Sequence, residues 1–185
     1  MTNTRKLAYI AILSAVSFLL LYFSFPLIPA ADFLKVDFSI LPVLIALVIF
    51  DFKSAIGVLL LRSLLKLLLN NGGPGSMIGL PMNFVAIGVF VWGLSYFWKK
   101  NQTSKNYIFG SVVGTVLLTV AMVILNYIYA VPLYAKFANF DIAQFIGLYK
   151  YLFVMVVPFN LLEGLIFAVA FALIYAPLKS ILVKL

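Results

Sequence analysis

The chain has 185 residues, of which 65% are hydrophobic and 10% charged, and its 13 Lys and Arg against 5 Asp and Glu give a formal charge of +8. So few charges cannot cover a water-exposed globule of this size, and apolar runs near the roughly 20 residues that cross a hydrocarbon core recur from end to end; the composition is that of a polytopic membrane protein with no soluble domain. The absence of Cys and His excludes disulfides, iron–sulfur clusters and thiolate catalysis and makes most zinc sites improbable, and basic residues scattered singly or in pairs at run ends argue against nucleic acid.

The long runs lack the two-residue alternation of barrel strands, so helices must satisfy the backbone in lipid. Six spans are expected, near residues 7–25, 41–50, 54–69, 78–97, 107–130 and 150–176, as one all-α domain over residues 1–185. In the first, Ala8, Ala11 and Ala15 lay small side chains along one face. Such a stripe permits close helix approach, either inside this chain or against a partner. The connector that follows contains FLKVDFSILP, Phe33 to Pro42, where Lys35, Asp37 and Ser39 alternate with Leu34, Val36 and Phe38. An extended backbone there sends one set to water and the other into the bundle, as a lid would, with Pro26, Pro29 and Pro42 stiffening its ends. An interfacial loop whose charges sit among headgroups is the alternative.

The second span is short, ten apolar residues between Pro42 and Asp51, so its surroundings must be protein rather than lipid. The third carries Arg62 and Lys66 one turn apart; Lys66 lies close enough to the helix end to snorkel, and Arg62 is open between snorkelling and the bundle interior. NNGGPGS, Asn70 to Ser76, breaks the chain without the Gly-Lys-Ser/Thr ending of a phosphate loop.

The densest polar cluster joins Asn126 of the fifth span to Asn160 and Glu163 of the sixth. Asn160 and Glu163 are three apart and share a face, after Pro158, which can kink the helix. Glu163, the one Glu of the chain, must be protonated, paired with a cation such as Arg62 or Lys66, or engaged by a ligand. Carboxamides offer donors and an acceptor suited to a heterocyclic amide edge, and the same side chains also glue helices together.

Assigning alternate connectors to the two sides groups Arg5, Lys6, Lys53, Lys99, Lys100, Lys105, Lys179 and Lys184 against Lys35, Lys136 and Lys150. The positive-inside rule then puts both termini in the cytoplasm and the long loops, with Asp32, Asp37 and Asp141, outside.

These features together, the six spans, the alanine stripe, the first loop FSFPLIP…FLKVDFSILP and the polar Asn126 and Asn160, resemble the substrate-binding S components of energy-coupling factor (ECF) vitamin transporters, with the loop phrase looking like the riboflavin-specific branch. The resemblance implies a non-catalytic subunit of a bacterial cell membrane that takes riboflavin from the extracellular side. It implies a separate transmembrane coupling subunit and two cytoplasmic ATPases as partners, a docking surface at Ala8, Ala11 and Ala15, and flavin contacts from Asn126, Asn160 and the loop residues Leu34 to Phe38. Phe38, Leu34 and Tyr127 are expected as walls, Lys35 and Asp37 as the closure over the sugar chain, and Asn126, Asn160 and Glu163 at the polar edge. Glu163 stands where the resemblance implies a basic residue in some relatives, so it assigns this acid no role. Riboflavin is expected as substrate, with no cofactor or metal. The rival readings are an S component for another vitamin or small heterocycle, a self-sufficient carrier or channel, and an intramembrane enzyme built on Glu163, which lacks the acid–base partner such chemistry needs.

Overall fold

The computed structural model describes residues 3–31 and 33–182; Asp32 and Lys184, both used in the charge assignment above, lie outside them. Helix α1, Asn3–Leu20, leads through a turn to a two-stranded antiparallel ladder, β1 at Phe25–Pro26 against β2 at Lys35–Val36, with Pro26 opposite Lys35. The first helix thus stops about five residues before the expected end, because Phe23 to Pro29 carries two prolines and is drawn into the loop. Then follow α2, Ile40–Ile49, α3, Phe52–Leu69, and α4, Pro74–Leu94, extended by a π-helical turn at Ser95–Lys99. Helix α5, Ser104–Leu125, runs on through a π-helical turn at Asn126–Ala130 into α6, Val131–Phe137. A short α7, Ile142–Phe145, precedes a π-helical stretch at Lys150–Val156 and the final helix α8, Val157–Leu182. Among the described residues, three continuous helical stretches, Pro74–Lys99, Ser104–Phe137 and Lys150–Ser180, are long and apolar enough to cross a membrane.

At ten residues α2 spans about 15 Å, half a hydrocarbon core. It tolerates that because it is interior: Ile40, Val43, Leu44, Ala46 and Leu47 are fully buried and form the centre of the main core with Val58, Leu59, Phe90 and Phe171. Pro42 sits in its first turn, where a missing amide hydrogen costs nothing. Helices α4 and α5 meet backbone to backbone, since a Cβ on Gly93 would stand 2.8 Å from Gly114 Cα; the Gly110–Gly114 spacing presents both glycines to that contact.

One end of the bundle is tied by polar bonds and aromatic rings. Lys6 pairs with Asp51 at 2.9 Å, Lys99 Nζ donates to the Val48 carbonyl at 2.5 Å, and Tyr175 donates to Gln102 at 2.8 Å. Trp98 sits edge-on to Tyr107 and Tyr175 with centroids 5.2 and 5.1 Å away. Asp51 also caps α3, accepting from the Ser54 amide at 2.8 Å. The opposite end carries the first loop, the Asn70–Gly73 turn and the segment around α7. In that turn Asn71 Oδ1 accepts from the Gly73 amide and Ser76 Oγ from the Gly72 amide, both at 3.0 Å, and Gly73 takes a positive φ of 78° to start α4. The Asn70 to Ser76 stretch is a self-bonded turn.

Candidate functional site

The loop strand alternates as the sequence implies only as far as Val36. Lys35 points out and Val36 is buried, but Ser39, expected on the water side, is fully buried. The cause is local: the Asp37 carboxylate accepts from the Ser39 amide at 2.8 Å, which ends the strand and starts α2. Ser39 is then held from two sides. Its carbonyl accepts from Ser17 of α1 at 2.5 Å, and its hydroxyl accepts from Arg62 of α3 at 2.5 Å.

Arg62 is an interior residue, 0% exposed. Its second terminal nitrogen donates to Asn83 Oδ1 of α4 at 2.5 Å. The guanidinium fork thus ties the end of the first loop to the fourth helix. Lys66 is half-buried near the end of α3, in keeping with snorkelling.

Beneath the loop lies a cavity of about 550 Å³, inside the range of small-molecule sites. Phe33, Leu34 and Lys35 of the loop close one part of it, Phe140 and Ile142 another. Met82, Ala86, Met122, Phe159 and the rings of Tyr134 and Tyr151 supply apolar wall. Asn83, Asn126, Asn160 and Glu163 bring polar atoms to it.

Two π-helical stretches shape this wall. One begins at Asn126, where the Val131 amide reaches back five residues to the Asn126 carbonyl, and Pro132 follows. The other ends at Val156, where the Val157 amide reaches back to Leu152, and Pro158 follows. A proline removes one amide and clashes with the carbonyl four residues earlier; widening the preceding turn relieves both. The widened turns bring Tyr151 to Asn126, its hydroxyl donating to Oδ1 at 2.5 Å. Asn126 Nδ2 donates to the Met122 carbonyl at 2.7 Å, so both ends of this amide have protein partners.

Asn160 differs. Its Nδ2 donates to the Val156 carbonyl at 2.7 Å, which fixes the amide orientation because a carbonyl only accepts. Its Oδ1 is buried without a partner among the described residues, and the residue is 1% exposed. Glu163, 6% exposed on the same helix face, has no ion pair or hydrogen bond among the described residues. The expected alternative of a salt bridge to Arg62 or Lys66 is therefore overturned, since Arg62 faces Ser39 and Asn83 instead.

Of the residues named from the sequence, the cavity brings together Leu34, Lys35, Asn126, Asn160 and Glu163. It leaves out three. Asp37 turns back to cap the Ser39 amide; Phe38 packs on the main core with its ring 5.9 Å from that of Phe25; Tyr127, 57% exposed, lies on the bundle surface, since consecutive helical residues point about 100° apart and Asn126 takes the inward face. Asn83, Tyr134 and Tyr151 were not foreseen. Asn83 had a signal, a carboxamide in an apolar span two residues after Pro81; the tyrosines depend on turns that no periodicity reveals. Ala8, Ala11 and Ala15 are all exposed, while Ser14 and Ser17 of the same helix face inward, so the stripe does not pack inside this chain.

Comparison with known proteins agrees with this architecture. The family described as ECF transporter, substrate-specific component, matches residues 5–175. The riboflavin transporter RibU of Streptococcus thermophilus is 96% identical over 185 residues, covering 100% of this chain and 88% of that protein. RibU of Lactococcus lactis is 41% identical over 197 residues, covering 97% and 96%, and the riboflavin transporter FmnP of Bacillus subtilis is 30% identical over 177 residues, covering 96% and 93%. A solved structure of the S component of a bacterial ECF transporter superposes with a TM-score of 0.81 at 29% identity, covering 98% of this chain and 99% of that one. With its helices, its loop-covered cavity and a family match across most of its length, the chain belongs to the substrate-specific components of ECF transporters.

Proposed function

We propose that this chain is the membrane-embedded riboflavin-binding subunit of an ECF uptake transporter, and that the cavity under the first loop holds the vitamin. The observation that carries the assignment to this cavity is the pairing of apolar walls with polar groups that have no partner among the described residues, Asn160 Oδ1 and the Glu163 carboxyl group. Such groups are costly amid hydrocarbon unless a ligand engages them. Isoalloxazine fits both requirements, with a methylated aromatic end for Met82, Met122 and Phe159 and an amide-containing edge for the polar wall. The ribityl hydroxyls then lie toward Lys35 at the mouth. Asn126, braced by Tyr151, has one amide hydrogen left for the ligand.

Residues 1–185 form one binding unit of six spans, with the short α2 counted as the second and both termini in the cytoplasm. Lys6, Lys53 and Lys99 at the tied end support that orientation, which leaves the loop and cavity facing outside. The first loop acts as the lid. The exposed Ala8, Ala11 and Ala15 form the surface for a transmembrane coupling subunit, itself driven by two ATPases, so release inward requires those partners. Titration of riboflavin into the purified chain, followed by thermal unfolding, tests the binding reading. At a hundredfold excess over Kd the vitamin should stabilise the fold by about 2.7 kcal/mol; no shift and no bound flavin would refute it.

A further inference from the structure

The notable feature of Asn83 is that its amide has a fixed direction. Arg62 donates to Oδ1, and a guanidinium has no acceptor, so the oxygen must face α3. The Nδ2 of Asn83 is then left for the cavity it lines, and among the described residues no acceptor engages it. On α8 the arrangement is inverted: the Val156 carbonyl claims Asn160 Nδ2 and leaves Oδ1 buried with no partner among the described residues. Two carboxamides that line one cavity from different helices therefore have opposite atoms left for a ligand, and neither can flip without losing its anchor.

We propose that Asn83, oriented by Arg62, is a specificity-determining donor of this site: it donates to a ring carbonyl of the ligand while Asn160 Oδ1 accepts from the adjacent ring N–H. The recognised chemistry is an uncharged heterocycle with a C=O beside an N–H, which a flavin supplies at its imide edge. Arg62 is a positioning residue. It touches no ligand, but its anchorage on Ser39 makes the orientation of the Asn83 amide depend on the same bond network that seats the end of the loop. The inference rests on the reading that this cavity binds riboflavin.

The test measures affinities of the purified chain for riboflavin, 3-methylriboflavin, which lacks the N–H, and the 2-thio and 4-thio analogues, whose C=S is a weaker acceptor. Wild type should bind 3-methylriboflavin and at least one thio analogue more weakly than riboflavin. Asn83→Ala should weaken riboflavin by roughly 5- to 100-fold and erase the thio preference while keeping the 3-methyl preference. Asn83→Asp, which keeps an oxygen for Arg62 but has no N–H to donate, guards against misfolding and should do the same. Arg62→Met should lose the thio preference, and Arg62→Lys, which retains a donor for Asn83, should restore it. A thio preference unchanged in both Asn83 variants overturns the donor role, and one unchanged in Arg62→Met overturns the positioning role. If wild type binds no flavin at all, the riboflavin reading fails and this inference with it; if wild type binds riboflavin but treats all the analogues alike, this inference alone fails.

Discussion

The two ends of the bundle treat polar groups in opposite ways. At the end holding Lys6, Asp51 and Trp98, each named polar group has a partner: Lys6 with Asp51, Lys99 with the Val48 carbonyl, Tyr175 with Gln102, Tyr107 with the Ala168 carbonyl. Around the cavity, Asn160 Oδ1, the Glu163 carboxyl group and Asn83 Nδ2 have no partner among the described residues. A membrane interior penalises such groups, so the contrast separates an end whose polar groups bond to one another from an end whose polar groups are, on the function proposed above, kept for the vitamin.

The largest effect should come from disturbing the tied half. Gly93→Leu places a side chain where even a Cβ would stand 2.8 Å from Gly114 Cα, and should destabilise the fold by about 3 kcal/mol, seen as a lower unfolding temperature with riboflavin affinity falling only through loss of folded protein. At the cavity the order should invert. Asn160→Ala removes an acceptor with no partner among the described residues and should weaken riboflavin by about 1–3 kcal/mol with the unfolding temperature of the free chain nearly unchanged. Asn126→Ala also strands the Tyr151 hydroxyl, so it should lower stability by about 1 kcal/mol as well as binding; identical behaviour of the two variants would erase the distinction drawn between them.

A third region, the exposed stripe, belongs to neither end. Replacing Ala11 and Ala15 by Leu should reduce cellular uptake about tenfold, through an overpacked partner contact, while the purified chain keeps its riboflavin affinity. Unchanged uptake would remove the docking assignment. The smallest effect concerns the Lys6–Asp51 tie. The hydrogen bond from Lys6, helped by those from Ser54 and opposed by slight burial, pulls the Asp51 carboxyl from its ordinary 3.8 down to about 2. A depressed carboxylate stabilises the fold above its unfolded pKa, and that contribution fades as pH falls from about 4 through about 2. Because the pair is exposed, the change should stay within about 0.2–1 kcal/mol and vanish in Asp51→Asn.

Much of this was readable in the residues and the rest was not, for identifiable reasons. Hydrophobic runs gave helix at each of the six expected stretches, and spacing alone put Asn160 and Glu163 on one face. The buried position of Arg62 could not be read from its own helix, because it depends on Ser39 and Asn83, 23 and 21 residues away. Tyr127, expected as a wall from its place beside Asn126, lies on the outer surface, and the approach of Tyr151 to Asn126 joins residues 25 apart on different helices, which no local pattern displays. Asp37 and Phe38 looked like lid residues while the extended pattern held, but a side chain that caps the next helix ended that pattern one step early.

Equilibrium titration of riboflavin into the purified wild-type chain and Asn160→Ala side by side, monitored by flavin fluorescence, is the most direct measurement. The account predicts saturable one-to-one binding to wild type and an affinity lower by roughly 5- to 100-fold in a variant that unfolds at nearly the same temperature. Equal affinities in the two proteins, or no binding by wild type, would contradict the claim that the unpartnered groups of this cavity are there for the vitamin.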